Sequence, residues 1–320
     1  MGAFTILGDA DLAAIADAFD LGAVRTWASI AAGTINSNYA LITDRGRFFV
    51  RVNEGKAEAD VAWEARLVHA LAGRGLTTPP PRAARDGKHY APHGTKWVSV
   101  FAWVDGEHLA TVTEARASEL GAQLARLHQI GLALPAEWRR ASIYDHAHLA
   151  LRYRGFQASP DPQLATAIAI LGEELAHAEA TTAIRAAATH GMIHGDLFRD
   201  NVLWDDRGRL VAILDFEQAS GGSLVYDLAV CLNDWCWDGG PRLDLARAMI
   251  AGYVHGRALT AADREALPIE VRRAATRFTI TRITDVYLAN VPNPEKDFRA
   301  FLARCTAWRG PALGELRAAL

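Results

Sequence analysis

The stretch Ile193–Asp215 constrains the chain more than any other. It reads I-H-G-D-L-F-R-D-N-V-L-W-D-D-R-G-R-L-V-A-I-L-D. Two short apolar runs, Asn201–Trp204 and Leu210–Leu214, flank Asp205-Asp206-Arg207-Gly208. That pattern predicts a β-hairpin with a turn at its centre. His194, Asp196 and Asn201 precede the first strand, and Asp215 follows the second. The hairpin would bring two carboxylates and a carboxamide to one end of a strand pair. Such a set offers oxygen ligands for a divalent cation beside a general base.

The flanking sequence divides in two. Residues 1–104 are strand-rich. Trp27–Ile30, Tyr39–Thr43 and Phe48–Val52 read as strands, with Asp44-Arg45-Gly46 turning between the last two. A further pair is predicted at Arg82–Arg85 and Trp97–Trp103. Helices are predicted over Asp9–Phe19 and Ala57–Ala72, the second stopped by Gly73, Gly75 and Pro79-Pro80-Pro81. Residues 105–320 read as helical at Thr113–Gln129, Gln163–Ala180, Thr182–Thr189, Tyr226–Asp234, Leu243–Val254, Ala261–Leu267, Val271–Leu288 and Pro294–Ala307. The fold class expected is α+β, a small antiparallel-sheet lobe followed by a large helical lobe.

Composition excludes several classes. Net charge is −3 and no run of more than two consecutive basic residues exists, so no nucleic-acid surface is expected. The most apolar stretch, Trp97–Val104, is too short for a membrane span. The N-terminus lacks a basic segment before an apolar one, so no signal peptide is read. Three cysteines, Cys231, Cys236 and Cys305, form no C-x-x-C pair, as expected for free thiols in a reducing cytoplasm.

Phosphoryl transfer needs a base near the acceptor hydroxyl, magnesium and a cation on the phosphates, and a loop over them. His194-x-Asp196-x-x-x-x-Asn201 followed by Asp215-Phe216-Glu217 has the spacing of the kinase catalytic loop and its metal-binding aspartate. Asp196 is read as the base, His194 as a prop of the loop, and Asn201 and Asp215 as the Mg²⁺ ligands. Arg199, inside the same motif, is a further catalytic candidate.

These residues, with Tyr226-Asp227-Leu228-Ala229 beyond them, resemble the choline/aminoglycoside phosphotransferase family. The resemblance implies a two-lobed protein-kinase-like fold and ATP-dependent phosphorylation of a small molecule's hydroxyl. Arg51 then stands on the strand that carries the phosphate-pairing cation, and Glu64 is its helix partner. Gly33, Asn36, Ser37 and Asn38 form the loop over the phosphates. Phe101 and Trp103, where the lobes join, supply contacts to adenine.

Within the family, Gly33–Tyr39, His194–Leu203, Asn233-Asp234-Trp235-Cys236 and Arg277–Arg282 are similar to the bacterial homoserine kinases of this fold. The similarity implies L-homoserine as acceptor, O-phospho-L-homoserine as product, and a place in threonine biosynthesis. It also implies aromatic residues after the metal aspartate, where Glu217-Gln218-Ala219 stand instead. Asn233, Asp234, Trp235, Arg277 and Arg282 are the acceptor candidates. An arginine would clamp the carboxylate and Asp234 would take the ammonium. Choline, held by Tyr226, Trp235 and Trp237, and an aminoglycoside are the rival acceptors. A pseudokinase scaffold is the non-enzymatic alternative. A monomer or homodimer is expected.

Overall fold

The structure, a computed structural model, describes residues 5–30, 36–318 and 320. The chain forms two compact units, Met1–Glu107 with Val211–Glu217, and His108–Leu210 with Gln218–Leu320.

In the first unit, α1 (Asp9–Ala18) precedes β1 (Val24–Ile30), β2 (Ser37–Thr43) and β3 (Gly46–Asn53). Then come α2 (Glu58–Gly73), β4 (Ala91–His93) and β5 (Lys96–Ala102). The strands make one antiparallel sheet in the order β1-β2-β3-β5-β4. The two-residue period of a strand separates the faces of β3. Phe48, Val50 and Val52 are buried in a core with Leu12, Ile15 and Phe19, while Phe49 and Arg51 lie on the other face and are only partly buried. In register, Arg51 stands between Asn38 of β2 and Ser99 of β5, near the middle of the sheet.

The strand expected at Arg82–Arg85 does not form. Pro81 makes an isolated bridge to Phe101, the Arg82 N–H reaches Val100 O, and the Ala84 N–H then turns back to Lys88 O. The tight turn to Lys88 takes the segment off the sheet after one bond, and the strand beside β5 opposite β3 is β4 instead.

The remaining elements are α3 (Glu114–Leu132), α4 (His146–Arg154), α5 (Ala165–Ala180), α6 (Thr182–Ala187), β6 (His190–Ile193), β7 (Val202–Trp204) and β8 (Leu210–Ile213). Beyond them lie β9 (Ser220–Ser223), α7 (Leu224–Trp235), α8 (Leu243–Gly256), α9 (Ala261–Arg282), α10 (Phe298–Ala307) and α11 (Pro311–Ala318). All of these belong to the second unit except β8, which from Val211 onward belongs to the first. The expected turn between β7 and β8 is present: Asp205 N–H donates to Arg209 O, and Gly208 has φ +76°. β6 pairs antiparallel with β9, a connection the local pattern did not reveal. α4 starts at His146, where the Asp145 carboxylate caps the His148 N–H.

Two expected helices are one. α9 runs through Pro268 without a break, starting from a capping box of Thr260 and Asp263, and passes into a π-turn at Ile283–Tyr287. An interior proline costs a helix about 3 kcal/mol. Near-continuous burial from Ala266 to Thr281 outweighs that cost, because tertiary packing supplies most helical stability.

α3 and α8 touch through glycine. A Cβ added to Gly121 would overlap the Met249 carbonyl oxygen, and one added to Gly252 would overlap that of Ser118. Both obstacles are backbone, so neither can step aside. Gly121→Ala and Gly252→Ala should each destabilise the protein by about 1–3 kcal/mol or more. Urea denaturation checks this, and an unchanged midpoint in both would contradict the close approach.

Candidate functional site

In the first unit a group of charges surrounds Arg51. Arg51 Nη1 lies 3.2 Å from Glu64 Oε1, 3.4 Å from Glu217 Oε1 and 3.7 Å from Asp215 Oδ1. Lys56 Nζ lies 2.8 Å from Glu217 Oε1 and 3.2 Å from Glu64 Oε2. Burial works to lower the Arg51 pKa, yet Asp215, Glu217 and Glu64 together raise it. The same burial raises the Glu64 carboxyl against the pull of Lys56 and Arg51. Two cations therefore share three carboxylates.

Sequence reasoning found Arg51 and Glu64 and missed Lys56 and Glu217. Lys56 follows a glycine turn, and nothing local marks it as an inward cation. Glu217 had stood out only as a departure from an aromatic pattern.

The other candidates of the first unit separate clearly. Asn36 Nδ2 donates to Glu217, and its Oδ1 accepts the Glu54 N–H. Ser37 is fully buried and gives its hydroxyl to Glu54 Oε1 at 2.6 Å, so its side chain is engaged within the first unit. Asn38 is buried beside Arg51 in the β2–β3 register. Gly33 lies outside the described residues. Phe101 packs on Phe49, with ring centroids 6.3 Å apart. The Trp103 indole donates to Asp105 Oδ1 and lies under Arg47.

In the second unit the candidates gather on the loop after β6. Asp227 of α7 accepts the N–H of His194 at 2.6 Å and of Gly195 at 2.7 Å. Gly195 has φ +79°, and a side chain there would press on Gln218 O. Glycine adopts that conformation without strain. The Asp196 N–H points to His194 Nδ1, so His194, fully buried, props the loop. Asn201 Nδ2 donates to Asp196 O at 2.8 Å, and Arg277 Nη1 reaches Asp196 Oδ1 at 3.2 Å and Gly195 O at 3.1 Å. The Asp196 side chain stays 30 % exposed, while Arg277 is buried. Arg277 is thus brought to the carboxylate that the sequence marked as the base.

Three candidates take other roles. Arg199 directs its guanidinium to the carbonyls of Asp234, Trp235 and Trp237 at the end of α7, and its N–H to Asp234 Oδ2. It anchors the loop to a helix C-terminus, where cations are favoured, and is no catalytic group. Asn233 is fully buried. It donates to Ala229 O and Val271 O and accepts from the Trp308 indole. The Trp235 ring is fully buried, with its N–H on Leu197 O. Both are core residues and are withdrawn as acceptor ligands.

Arg282 lies within electrostatic reach of both Asp234 and Asp196. Burial raises the Asp234 carboxyl, with Arg199, Arg304 and Arg282 opposing. Burial lowers Arg282 against the attraction of Asp234, Asp196 and Asp200. Arg304, which the sequence did not suggest, is pulled down to about 10 by burial and is opposed by Asp234.

The residues suit a hard cation. Asn201 commits its Nδ2 to Asp196 O, which leaves Oδ1 as a ligand atom. Asp215 is held at φ +61° with its carboxylate 35 % exposed. That left-handed backbone costs an aspartate about 1 kcal/mol or more. Among the described residues no group of three or more His, Cys, Asp or Glu could hold a metal alone. Magnesium on phosphates takes one or two protein ligands and completes its shell elsewhere.

Behind the loop, His128 Nε2 lies 3.1 Å from Asp227 Oδ2 and its Nδ1 lies 2.7 Å from the Tyr253 hydroxyl. Burial lowers the His128 pKa despite Asp227, so the imidazole folds neutral. The unfolded chain then takes up a proton near pH 6.5 that the folded chain does not, and stability rises with pH through that window. Thermal melting should fall as pH drops from about 7 to 5.5, and less steeply in His128→Gln. Equal slopes in the two proteins would contradict a buried neutral His128.

The phosphotransferase enzyme family model matches residues 26–266. A homoserine kinase of Gluconacetobacter diazotrophicus is 36% identical over 289 residues, 89% of each chain. One of Parvibaculum lavamentivorans is 30% identical over 326 residues, covering 98% of this chain and 97% of its own. Among solved structures, a spectinomycin phosphotransferase in complex with ADP and spectinomycin aligns over 98% of both chains at 14% identity, with a TM-score of 0.71. A microcompartment-associated aminopropanol kinase aligns over 96% of this chain and 97% of its own at 21% identity, also with a TM-score of 0.71. The structural likenesses establish the fold, which is kinase-like. No described helix is long and apolar enough to cross a membrane. By the extent of the family match and the identity to these relatives, the chain belongs to the phosphotransferase enzyme family.

Proposed function

We propose that this phosphotransferase is a homoserine kinase, transferring the γ-phosphoryl group of ATP to the side-chain hydroxyl of L-homoserine in threonine biosynthesis. The reading is carried by the Asp196 carboxylate, partly open and fixed by Arg277, together with near-full-length likeness to homoserine kinases.

Arg277 holds Oδ1 of Asp196, which leaves Oδ2 for the acceptor hydroxyl. Asp196 takes the hydroxyl proton as the oxygen attacks the γ-phosphorus. A new P–O bond forms, the bond to the β-phosphate oxygen breaks, and ADP leaves. Asp196 then returns the proton to water. Arg51 and Lys56 face the phosphates, with Glu64 orienting both. Asn201 and Asp215 would hold Mg²⁺, which when bound neutralises phosphate charge. Asp234 receives the acceptor ammonium and Arg282 its carboxylate.

A coupled ADP-release screen over homoserine, choline, methylthioribose, aminoglycosides and sugars tests the acceptor. Homoserine should turn over best, and strong activity on another acceptor with none on homoserine would overturn the assignment. Asp196→Asn should bind ATP normally and lose about 10²–10⁴-fold in kcat; near-normal turnover would refute its role. Asp234→Ala and Arg282→Ala should each raise the KM for homoserine about tenfold or more, the loss of one charge-assisted hydrogen bond. Unchanged KM in both would displace the acceptor from these residues.

A further inference from the structure

The second unit contains a cavity of about 290 Å³ between β6, β9, α6, α9, the start of α7 and the segment Ser142–Asp145. Asp196, Asp234 and Arg282 do not line it, so the phosphotransfer reading leaves it unused. At about 30 Å³ per water it holds roughly ten waters, room for a molecule of a few carbons and not for a nucleotide.

Two of its lining side chains carry donors that nothing in the protein takes up. Arg185 of α6 commits only its Nε, which donates to Glu270 Oε1 at 3.3 Å. Both of its Nη atoms lack a hydrogen bond and stay open to solvent. Tyr226 of α7 is 5 % exposed, yet its hydroxyl has no partner and is not closed off. Burial raises the phenol, so it remains a protonated donor at neutral pH. Arg185 and Tyr226 lie within electrostatic reach of each other.

The charges beside these donors leave a positive excess. Glu270 is buried between Arg185 and Arg273, its Oε1 taken by Arg185 and its Oε2 enclosed 3.5 Å from Arg273 Nη1. Burial lowers Arg185, Glu270 opposes, and Arg273 adds repulsion. Two guanidiniums thus share one carboxylate. Asp145 also borders the cavity, half exposed, with Oδ1 turned to the N–H and ring of His148. A guanidinium with both Nη atoms free matches the two oxygens of a carboxylate, and a monoanion balances the one excess charge. Ile193, Ala186 and Gly222 supply apolar wall for a carbon body. We propose that this cavity is a second ligand site, for a small organic acid whose carboxylate meets both Arg185 Nη atoms and the Tyr226 hydroxyl.

The site has a physical route to the reacting carboxylate. Tyr226 is within electrostatic reach of Arg277 and Asp196. Tyr144, which also borders the cavity, has its ring centre 4.1 Å from the Arg277 guanidinium, and Arg277 holds Asp196 Oδ1. A negative charge on Tyr226 therefore acts on the grip of Arg277 and changes kcat. That effect rests on the phosphotransferase reading; the binding does not.

The test is calorimetric titration of the whole protein with acetate, propionate, butyrate and inorganic phosphate. The carboxylates should bind, with affinity rising about two- to fourfold per methylene from acetate to butyrate. Binding should weaken about tenfold or more in Tyr226→Phe and in Arg185→Gln, and should be the same in Arg282→Ala as in wild type. Tyr226→Phe removes no existing hydrogen bond, so its fold is kept even where Arg185→Gln is unstable. Butyrate should change kcat in wild type and change it less in Tyr226→Phe. The proposal falls if no carboxylate binds, if binding survives unchanged in Tyr226→Phe, or if phosphate binds more tightly than every carboxylate. Binding lost in Arg282→Ala instead would place the acid at the acceptor residues and also overturn it. Carboxylate binding with no phosphotransfer to any acceptor would sink the function reading and leave the site standing.

Discussion

A single buried carboxylate organises the second unit. Asp227 receives two backbone N–H groups of the loop and one imidazole. Its pKa is lowered even though burial raises it, because His128 and the loop amides favour the charged form. A buried charge persists only when its hydrogen bonds are complete. The loop therefore has one conformation in which Asp227 is satisfied, and that conformation presents Asp196. Through Tyr253 the same network reaches α8, so the chemistry is fastened to the helical core.

The first unit solves a different problem. Its central strand carries a cation that is mostly buried, and an unpaired buried cation is too costly. Glu64, Asp215 and Glu217 hold Arg51, and Glu64 and Glu217 hold Lys56. Asn36 ties Glu217 to the backbone of Glu54, so the acid that the family pattern did not lead one to expect is itself anchored.

The sequence made the catalytic stretch legible because its parts lie within 23 residues of one another and their spacing follows from a turn between short strands. The sheet was legible for the same reason, apart from Arg82–Arg85, where the Ala84 N–H turns back to Lys88 O. What depends on distant contacts was hidden. Whether Asn233 binds ligand or fills the core depends on Val271 and Trp308, far along the chain. Arg199 looked catalytic because it sits in the motif, yet the end of α7 takes its guanidinium. Arg277 appeared only as one of two possible clamps until the fold placed it on Asp196. Pro268 misled for a thermodynamic reason: a local penalty is visible in sequence, and the burial that outweighs it is not.

The glycine contact between α3 and α8 has a bearing on inheritance. Gly121 is two turns from His128, and Gly252 adjoins Tyr253, so the helices that must approach closely are those that deliver both ends of the hydrogen-bonded chain behind Asp227. A substitution that wedges them apart would spoil the orientation of the loop before it unfolded the protein. Selection for turnover alone, with no premium on stability, would still act against it, and lineages would keep these two positions small for a reason invisible at the site itself.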